Sequence, residues 1–325
     1  MVTCERQVTE EDSFNDEFEA NNMNKIPLAH AAAAGAALYA GTAVVATRFV
    51  IGETDPLSLV FYRYLISIIC FAPALPALWP RDGLDAIELG KIALSGILFF
   101  LLFPWAFNTA LQYNPAARGA VGLATIPIQT LLIATVFGRE TLTAAKVAGV
   151  TLAFSGIAVA FGAAAVGPGN GSYLRGDCLM LLSAFCAAVY SVFSRPVLMR
   201  HGPLFVTALA MVFAVTALLP VVIFKNGGIA IPPFSAHGWL AVVFLGTVAG
   251  LVQFSLFMWA LRWLPPTTTV LYLTLNPITA MALGIALLGE KLTPELAVGM
   301  VLVLIGIVTG SGVYAARRTT ASASM

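Results

Sequence analysis

Residues 110–157 read ALQYNPAARGAVGLATIPIQTLLIATVFGRETLTAAKVAGVTLAFSGI, and residues 260–307 read ALRWLPPTTTVLYLTLNPITAMALGIALLGEKLTPELAVGMVLVLIGI. The two lie over one another without a gap at a constant shift, since 290 − 140 = 150. Ala110-Leu111 falls on Ala260-Leu261, Pro115 on Pro265, Pro127-Ile128 on Pro277-Ile278 and Glu140 on Glu290. Leu142-Thr143 falls on Leu292-Thr293, Gly149 on Gly299 and Gly156-Ile157 on Gly306-Ile307. A shared apolar bias would align Leu and Ala by chance. It would not also align Pro, Glu and Gly, because each marks a different physical event: a lost backbone donor, a charge, a backbone freed of its Cβ. The chain reads as a tandem duplication.

Outward from this stretch the chain is 59% hydrophobic and only 10% charged, whereas soluble domains carry about a quarter charged residues. So few charges cannot cover a water-facing surface of 325 residues; the solvent around most of the chain is lipid. A helix needs about 20 mostly apolar residues to cross the hydrocarbon. Ten such spans are predicted, at 29–50, 57–79, 91–112, 118–138, 144–165, 177–198, 204–224, 237–262, 267–288 and 295–315. Strands of a barrel would alternate over about ten residues, and these runs do not. Residues 1–28 hold Glu5, Glu10, Glu11, Asp12, Asp16, Glu17 and Glu19 and read as an acidic, solvated tail. The first five-helix unit is expected over 29–165, a linker over 166–176 (with Gly167-Pro168-Gly169-Asn170-Gly171), the second unit over 177–315, and a short tail over 316–325. The fold class expected is all-α integral membrane, ten transmembrane helices as two inverted five-helix repeats.

The inversion follows from the odd number: after five spans, the second unit enters the membrane from the opposite side. Cationic residues set the orientation, since loops rich in Lys and Arg stay in the cytoplasm. With the N-terminus inside, the inner loops and tail receive Arg81, Lys91, Arg139, Lys146, Arg195, Arg200, Arg262, Arg317 and Arg318. The outer ends receive Arg48, Arg118, Arg175, Lys225 and Lys291. Both termini are therefore expected on the cytoplasmic side of an inner (plasma) membrane. Inverted repeats are the architecture of many secondary transporters, whose site lies between the units near the midplane.

At this point the residues resemble the drug/metabolite transporter superfamily, in its ten-helix EamA-type branch. The resemblance is carried by Ala110-Leu111-Gln112-Tyr113-Asn114-Pro115-Ala116-Ala117, Pro127, Gly138-Arg139-Glu140-Thr141-Leu142-Thr143 and Gly149. The second copy carries Ala260-Leu261-Arg262-Trp263, Asn276-Pro277, Gly289-Glu290-Lys291-Leu292-Thr293-Pro294 and Gly299. Tyr39-Ala40-Gly41 stands where the family has an aromatic and Gly in its first helix, Trp being the more usual aromatic, and Asp55-Pro56 and Arg63 fit its first unit. The resemblance implies export or exchange of a small metabolite, such as an amino acid or related compound, by alternating access.

A polar side chain facing lipid is costly, so polar faces should turn inward. Asn108 and Gln112, Thr125 and Gln129, Tyr190 and Ser194, and Tyr272 and Asn276 each stand four residues apart on one helix, and Gln253 lies midway along the eighth span. Such groups either bond between helices or line a cavity. Tyr39, Asn108, Gln129, Tyr190, Gln253 and Asn276 are the candidates for the second role. Pro127 and Pro277 should kink the fourth and ninth helices, with or without a substrate path beside the bend. Glu140 and Glu290 sit at helix ends, before Thr143 and Thr293, which read as N-caps; they either order the turn or take part in coupling and gating. Arg63 either snorkels to the outer interface or offers a counter-charge to an anionic group.

Two Gly-x-x-x-Gly pairs, Gly246/Gly250 and Gly306/Gly310, suit close helix packing within one chain or in a homodimer. The four cysteines, Cys4, Cys70, Cys178 and Cys186, show no metal-ligand spacing, so neither metal nor cofactor is expected. A net charge of +1 with no basic cluster argues against nucleic acid; the expected partners are a small molecule and the lipid bilayer. A membrane-embedded enzyme would need a catalytic constellation, and the chain has no HExxH, no GxSxG and no acid deep in any span. A receptor or scaffold would call for a sizeable soluble region, and only the acidic tail stands outside the spans.

Overall fold

The computed structural model describes residues 25–47, 50, 52–80, 83–114, 116–165, 172–226, 234–288 and 294–311. Among these the protein is helical throughout, with no strand. The first unit contains α1 (Lys25–Thr47), α2 (Pro56–Phe71), the single turn α3 (Leu75–Leu78), α4 (Ala86–Tyr113), α5 (Ala116–Leu123), α6 (Ile126–Val136) and α7 (Ala144–Ala165). The second contains α8 (Ser172–Phe193), α9 (Arg195–His201), α10 (Pro203–Asn226), α11 (Ala236–Trp263), α12 (Pro266–Leu271), α13 (Leu275–Leu288) and α14 (Pro294–Ser311). Among the described residues, five helices are long and apolar enough to cross a membrane: α1, α4, most of α8, most of α10, and α11. Pro56–Phe71, Val121–Val136, Ala144–Ala160 and Ala297–Ser311 form shorter apolar helices.

The helix starts follow local chemistry. Asp55 caps α2, accepting from the Leu57 and Ser58 amides, and Pro56 occupies the first turn, where its missing N–H costs nothing. Thr143 caps α7 by accepting from the Lys146 amide at 3.3 Å, as its sequence position predicts; Thr293 and Glu290 lie outside the described residues. Several predicted spans are interrupted. The second, expected over 57–79, leaves the α-helix after Phe71, because Pro73 cannot donate to Ile69. The sixth, expected over 177–198, begins at Ser172 and ends at Phe193, where Arg195-Pro196 disfavours continuation. α1 is helical from Lys25, ahead of residue 29.

The 150-residue shift extends to the elements. α4 and α11 span Ala86–Tyr113 and Ala236–Trp263, and each contains a π-helical turn, Ile97–Leu102 and Thr247–Val252. The start of α7 at Ala144 and that of α14 at Pro294 keep the same shift.

Hydrocarbon gives apolar helices no reason to leave lipid for each other, so packing rests on close fit and small residues. The tightest seam is α7 against α14. A Cβ built on Gly156 would lie 2.6 Å from the Gly299 carbonyl oxygen, and one on Gly306 would lie 2.7 Å from that of Gly149. Gly246 and Gly250 admit α2, through Ile66 and Ser67. Both Gly-x-x-x-Gly pairs thus pack within the chain. A second body of contacts joins α2, α4, α8, α10 and α11 around Tyr64, Phe100, Tyr190, Phe205 and Leu245.

Polar ties gather at helix ends. Glu53 accepts from the Ser235 amide and hydroxyl, both at 2.8 Å, Lys225 pairs with Asp55 at 2.8 Å, and the Asn114 amide donates to Asp177 at 2.8 Å. A second set joins Glu88 to Arg200 and His201, and Glu140 to Lys146.

Candidate functional site

The fourth and ninth spans are each cut in two at equivalent places. The fourth breaks at Ala124-Thr125, just before Pro127, which is buried in the first turn of α6. Pro127 has no N–H for the Leu123 carbonyl, and Thr125 Oγ1 turns back to donate to the Gly122 carbonyl at 2.6 Å. The ninth passes through a 3-10 turn, Tyr272–Thr274, before α13, whose third residue is the half-buried Pro277. Here Thr274 Oγ1 donates to the Leu271 carbonyl at 2.7 Å. α12 packs against α6, so one half of each broken helix meets the other unit.

Several candidates flank these breaks. Gln129 donates to Thr125 Oγ1 at 3.0 Å, a bond along its own helix rather than between helices. Asn276 Oδ1 is buried with no hydrogen-bond partner. A Cβ on Gly41 would lie 2.9 Å from the Asn276 carbonyl oxygen, so α1 crosses α13 there, with Tyr39 two residues away and 39% exposed. His30, near the start of α1, meets the Tyr272 hydroxyl at 3.0 Å; nothing in the sequence spacing singles His30 out.

Tyr190 belongs to a ring cluster between the units. Tyr190 is fully buried, stacked on Phe99 at 4.3 Å, and donates to the Met258 sulfur at 3.3 Å. Phe100 and Phe254 meet at 5.0 Å, Phe99 and Phe254 at 5.7 Å, and Tyr64 and Phe100 at 5.3 Å. These rings fill the space between α4 and α11, and the π-helical turn of α4 carries Phe99 and Phe100 into it. Tyr190 is therefore a packed core residue in this state. Asn108 and Gln253 are also buried, and Gln253 Oε1 has no hydrogen-bond partner. The Phe99-Phe100 pair was a visible signal for the cluster; the π turns had none.

Arg63 does not extend along α2 toward its end. Its guanidinium crosses to α11, with Nη2 3.5 Å from the Ala249 carbonyl oxygen and Cζ 5.3 and 5.8 Å from the Tyr64 and Phe254 rings. Snorkelling is replaced by a sideways contact, because Ala249 and Gly250 leave room where the equivalent positions of α4 hold Phe99 and Phe100.

Glu140 is a clamp between units. Its side chain is 3% exposed, paired with Lys146 at 2.7 Å, and its Oε1 accepts from the Thr267 amide at the start of α12 at 2.8 Å. Arg195, at the start of α9, stands near enough to feel it: burial lowers the arginine's pKa and the Glu140 charge opposes that shift.

The sequence model of the EamA-like transporter family matches residues 27–162 and again 174–311. An uncharacterized transporter of Bacillus subtilis (strain 168), YyaM, is 23% identical over 284 residues, covering 86% of this chain and 92% of that protein. A probable terminal-alkyne amino-acid exporter of Streptantibioticus cattleyicolor is 29% identical over 237 residues, covering 73% of this chain and 78% of that protein. A crystal structure at 22% identity shares the fold with a TM-score of 0.71, covering 88% of this chain and 98% of that one. Two matches to one family, spread over nearly all the helices described, make this chain a member of the EamA-like transporter family, an integral membrane transporter rather than an enzyme.

Proposed function

We propose that the protein is a secondary transporter of ten transmembrane helices in two inverted five-helix repeats, exporting or exchanging a small metabolite such as an amino acid by alternating access. The observation that carries this reading is the pair of broken helices. Interrupted helices at corresponding places of two halves free backbone groups at depth, and these are tolerated in a membrane only where protein or a watery path receives them. The two groups of polar ties support a chain that alternates between two faces: Glu88 near the start of α4 meets Arg200 of α9, just ahead of α10, while Asn114 and Lys225 stand at the other ends of α4 and α10. Export follows the Streptantibioticus relative, whose name gives that direction.

Tyr39, Asn108, Gln129, Gln253 and Asn276 line the path in this reading, and Tyr190 reaches it when the Phe99 stack parts. Pro127 and Pro277 are its bends, and Glu140 and Glu290 its closures. Both termini lie in the cytoplasm, in an inner (plasma) membrane. Counterflow in proteoliposomes tests the activity: Asn108→Leu and Gln129→Leu should each lower flux by an order of magnitude at unchanged yield, and normal flux in both defeats the lining. A cysteine at Asn170, in a chain without its native cysteines, should label from outside the cell. Labelling only from the cytoplasmic side defeats the inverted arrangement.

A further inference from the structure

Arg63 lies seven residues after Pro56 and eight before Phe71, about 10 to 12 Å from either end of α2 at 1.5 Å per residue. A full cation at that depth calls for compensation. Other cations have it: Lys146, Arg200 and Lys225 each hold a carboxylate. Arg63 has a carbonyl oxygen at 3.5 Å, at the outer limit of a hydrogen bond, and two ring faces, while its Nε is buried without a partner. The described acids cannot supply the missing charge. Glu53 and Glu140 lie between helices, Asp55 and Asp85 precede helix starts, and Glu88, Asp177 and Glu295 stand within six residues of one. Arg63 as a whole is nevertheless only half-buried.

Its place also breaks the repeat. The π turn of α4 presents Phe99-Phe100, and the equivalent turn of α11 presents Ala249-Gly250. Small residues in one copy only let α2 lie directly against α11, with Ser67 at Gly250 and Arg63 at the Ala249 carbonyl. Four residues on from Ala249, Gln253 offers a buried, unpartnered acceptor.

We propose that Arg63 is the counter-charge for a carboxylate carried by the transported molecule, which makes the substrate a small monocarboxylate or amino acid. This rests on the carrier reading above. A guanidinium presents paired donors to a planar carboxylate. One fixed positive charge balances one negative charge, so a dianionic phosphate would leave an excess in the low-dielectric interior. Gln253 Oε1 suits a donor on the same molecule, such as an ammonium group.

The test uses purified full-length protein and matched sets of probes: L-leucine and L-phenylalanine, their amides, 4-methylpentanoate and 3-phenylpropanoate, with nucleosides for comparison. At least one acid should raise the melting temperature, its amide should not, and Arg63→Gln should weaken the response at least tenfold while Arg63→Lys keeps part of it. In the unmutated protein the same acid should slow phenylglyoxal modification of Arg63, read by mass spectrometry, which holds even if the Gln variant misfolds. An amide or nucleoside that stabilises as well as any acid, or an acid response that survives Arg63→Gln, overturns the assignment and leaves the carrier reading standing. No stabilisation by any probe, with no counterflow of any, overturns both.

Discussion

Replacing Glu140 by Ala should loosen the joint between the two units. The carboxylate is 3% exposed and holds Lys146 at 2.7 Å and the Thr267 amide at 2.8 Å. Removing one member of a buried pair typically costs about 3–5 kcal/mol, because the other is left buried and charged. Here the lower end applies: Lys146 is 15% exposed and keeps the Thr141 carbonyl at 3.2 Å, so about 3 kcal/mol is expected. Glu140→Gln retains an oxygen for the Thr267 amide and loses only the charge, for roughly 1–2 kcal/mol. Lys146→Met tests the pair from its other side. If the two groups act together, Glu140→Gln with Lys146→Met should cost less than the sum of the single changes by about 1 kcal/mol. Thermal unfolding in detergent reads all four variants. A Glu140→Ala protein as stable as the parent, or costs that simply add, would refute the clamp. The same variants test whether transport draws on a proton gradient. Flux should persist without a pH gradient or membrane potential and should survive in Glu140→Gln. Accumulation driven by a pH gradient and lost in Glu140→Gln would make this glutamate the coupling group instead.

Gly306→Leu should separate α7 from α14 and cost about 1–3 kcal/mol or more, since its side chain would meet the Gly149 and Ala153 backbone; unchanged thermal stability with loss of a dimer on size exclusion would place that glycine between chains. At Asp55, burial pushes the pKa up, but hydrogen bonds from Lys225 and Ser58 and the lysine's charge outweigh it, and the net value lies below the usual carboxylate range. Its stabilisation is complete above the unfolded carboxylate pKa and is lost as pH falls through the lower folded value. Asp55→Asn should therefore lower stability at neutral pH and flatten the acid side of a stability–pH profile; an unaltered profile would remove Asp55 from the account.

Helix ends were legible where the chain names them, as at Asp55-Pro56 and Thr143. Interruptions were less so. Pro73 and Pro196 stood in plain view, yet the apolar runs around them read as continuous, because hydropathy registers composition and not backbone donors. The π turns leave no residue signature: Ile97–Leu102 is as apolar as any membrane helix. For the site, spacing found polar residues on shared faces but not what those faces meet. Tyr190 and Ser194 share a face, and the first is packed under Phe99. Thr125 and Gln129 share one and bond each other. Arg63 could be counted into α2, but its sideways course depends on Ala249, nearly two hundred residues on.

The matched π turns carry information about descent. A π turn holds one residue more than the α turn it replaces, so each marks an insertion. Two separate insertions after the copies had formed would have had to land on the same turn of α4 and α11. A single insertion before copying accounts for both, and the widened turn is then older than the tandem gene. The ancestor was then a single copy of the repeated unit that already bore it. Since copying, the two turns have taken different neighbours: that of α4 packs on α8 and α10, and that of α11 on α2.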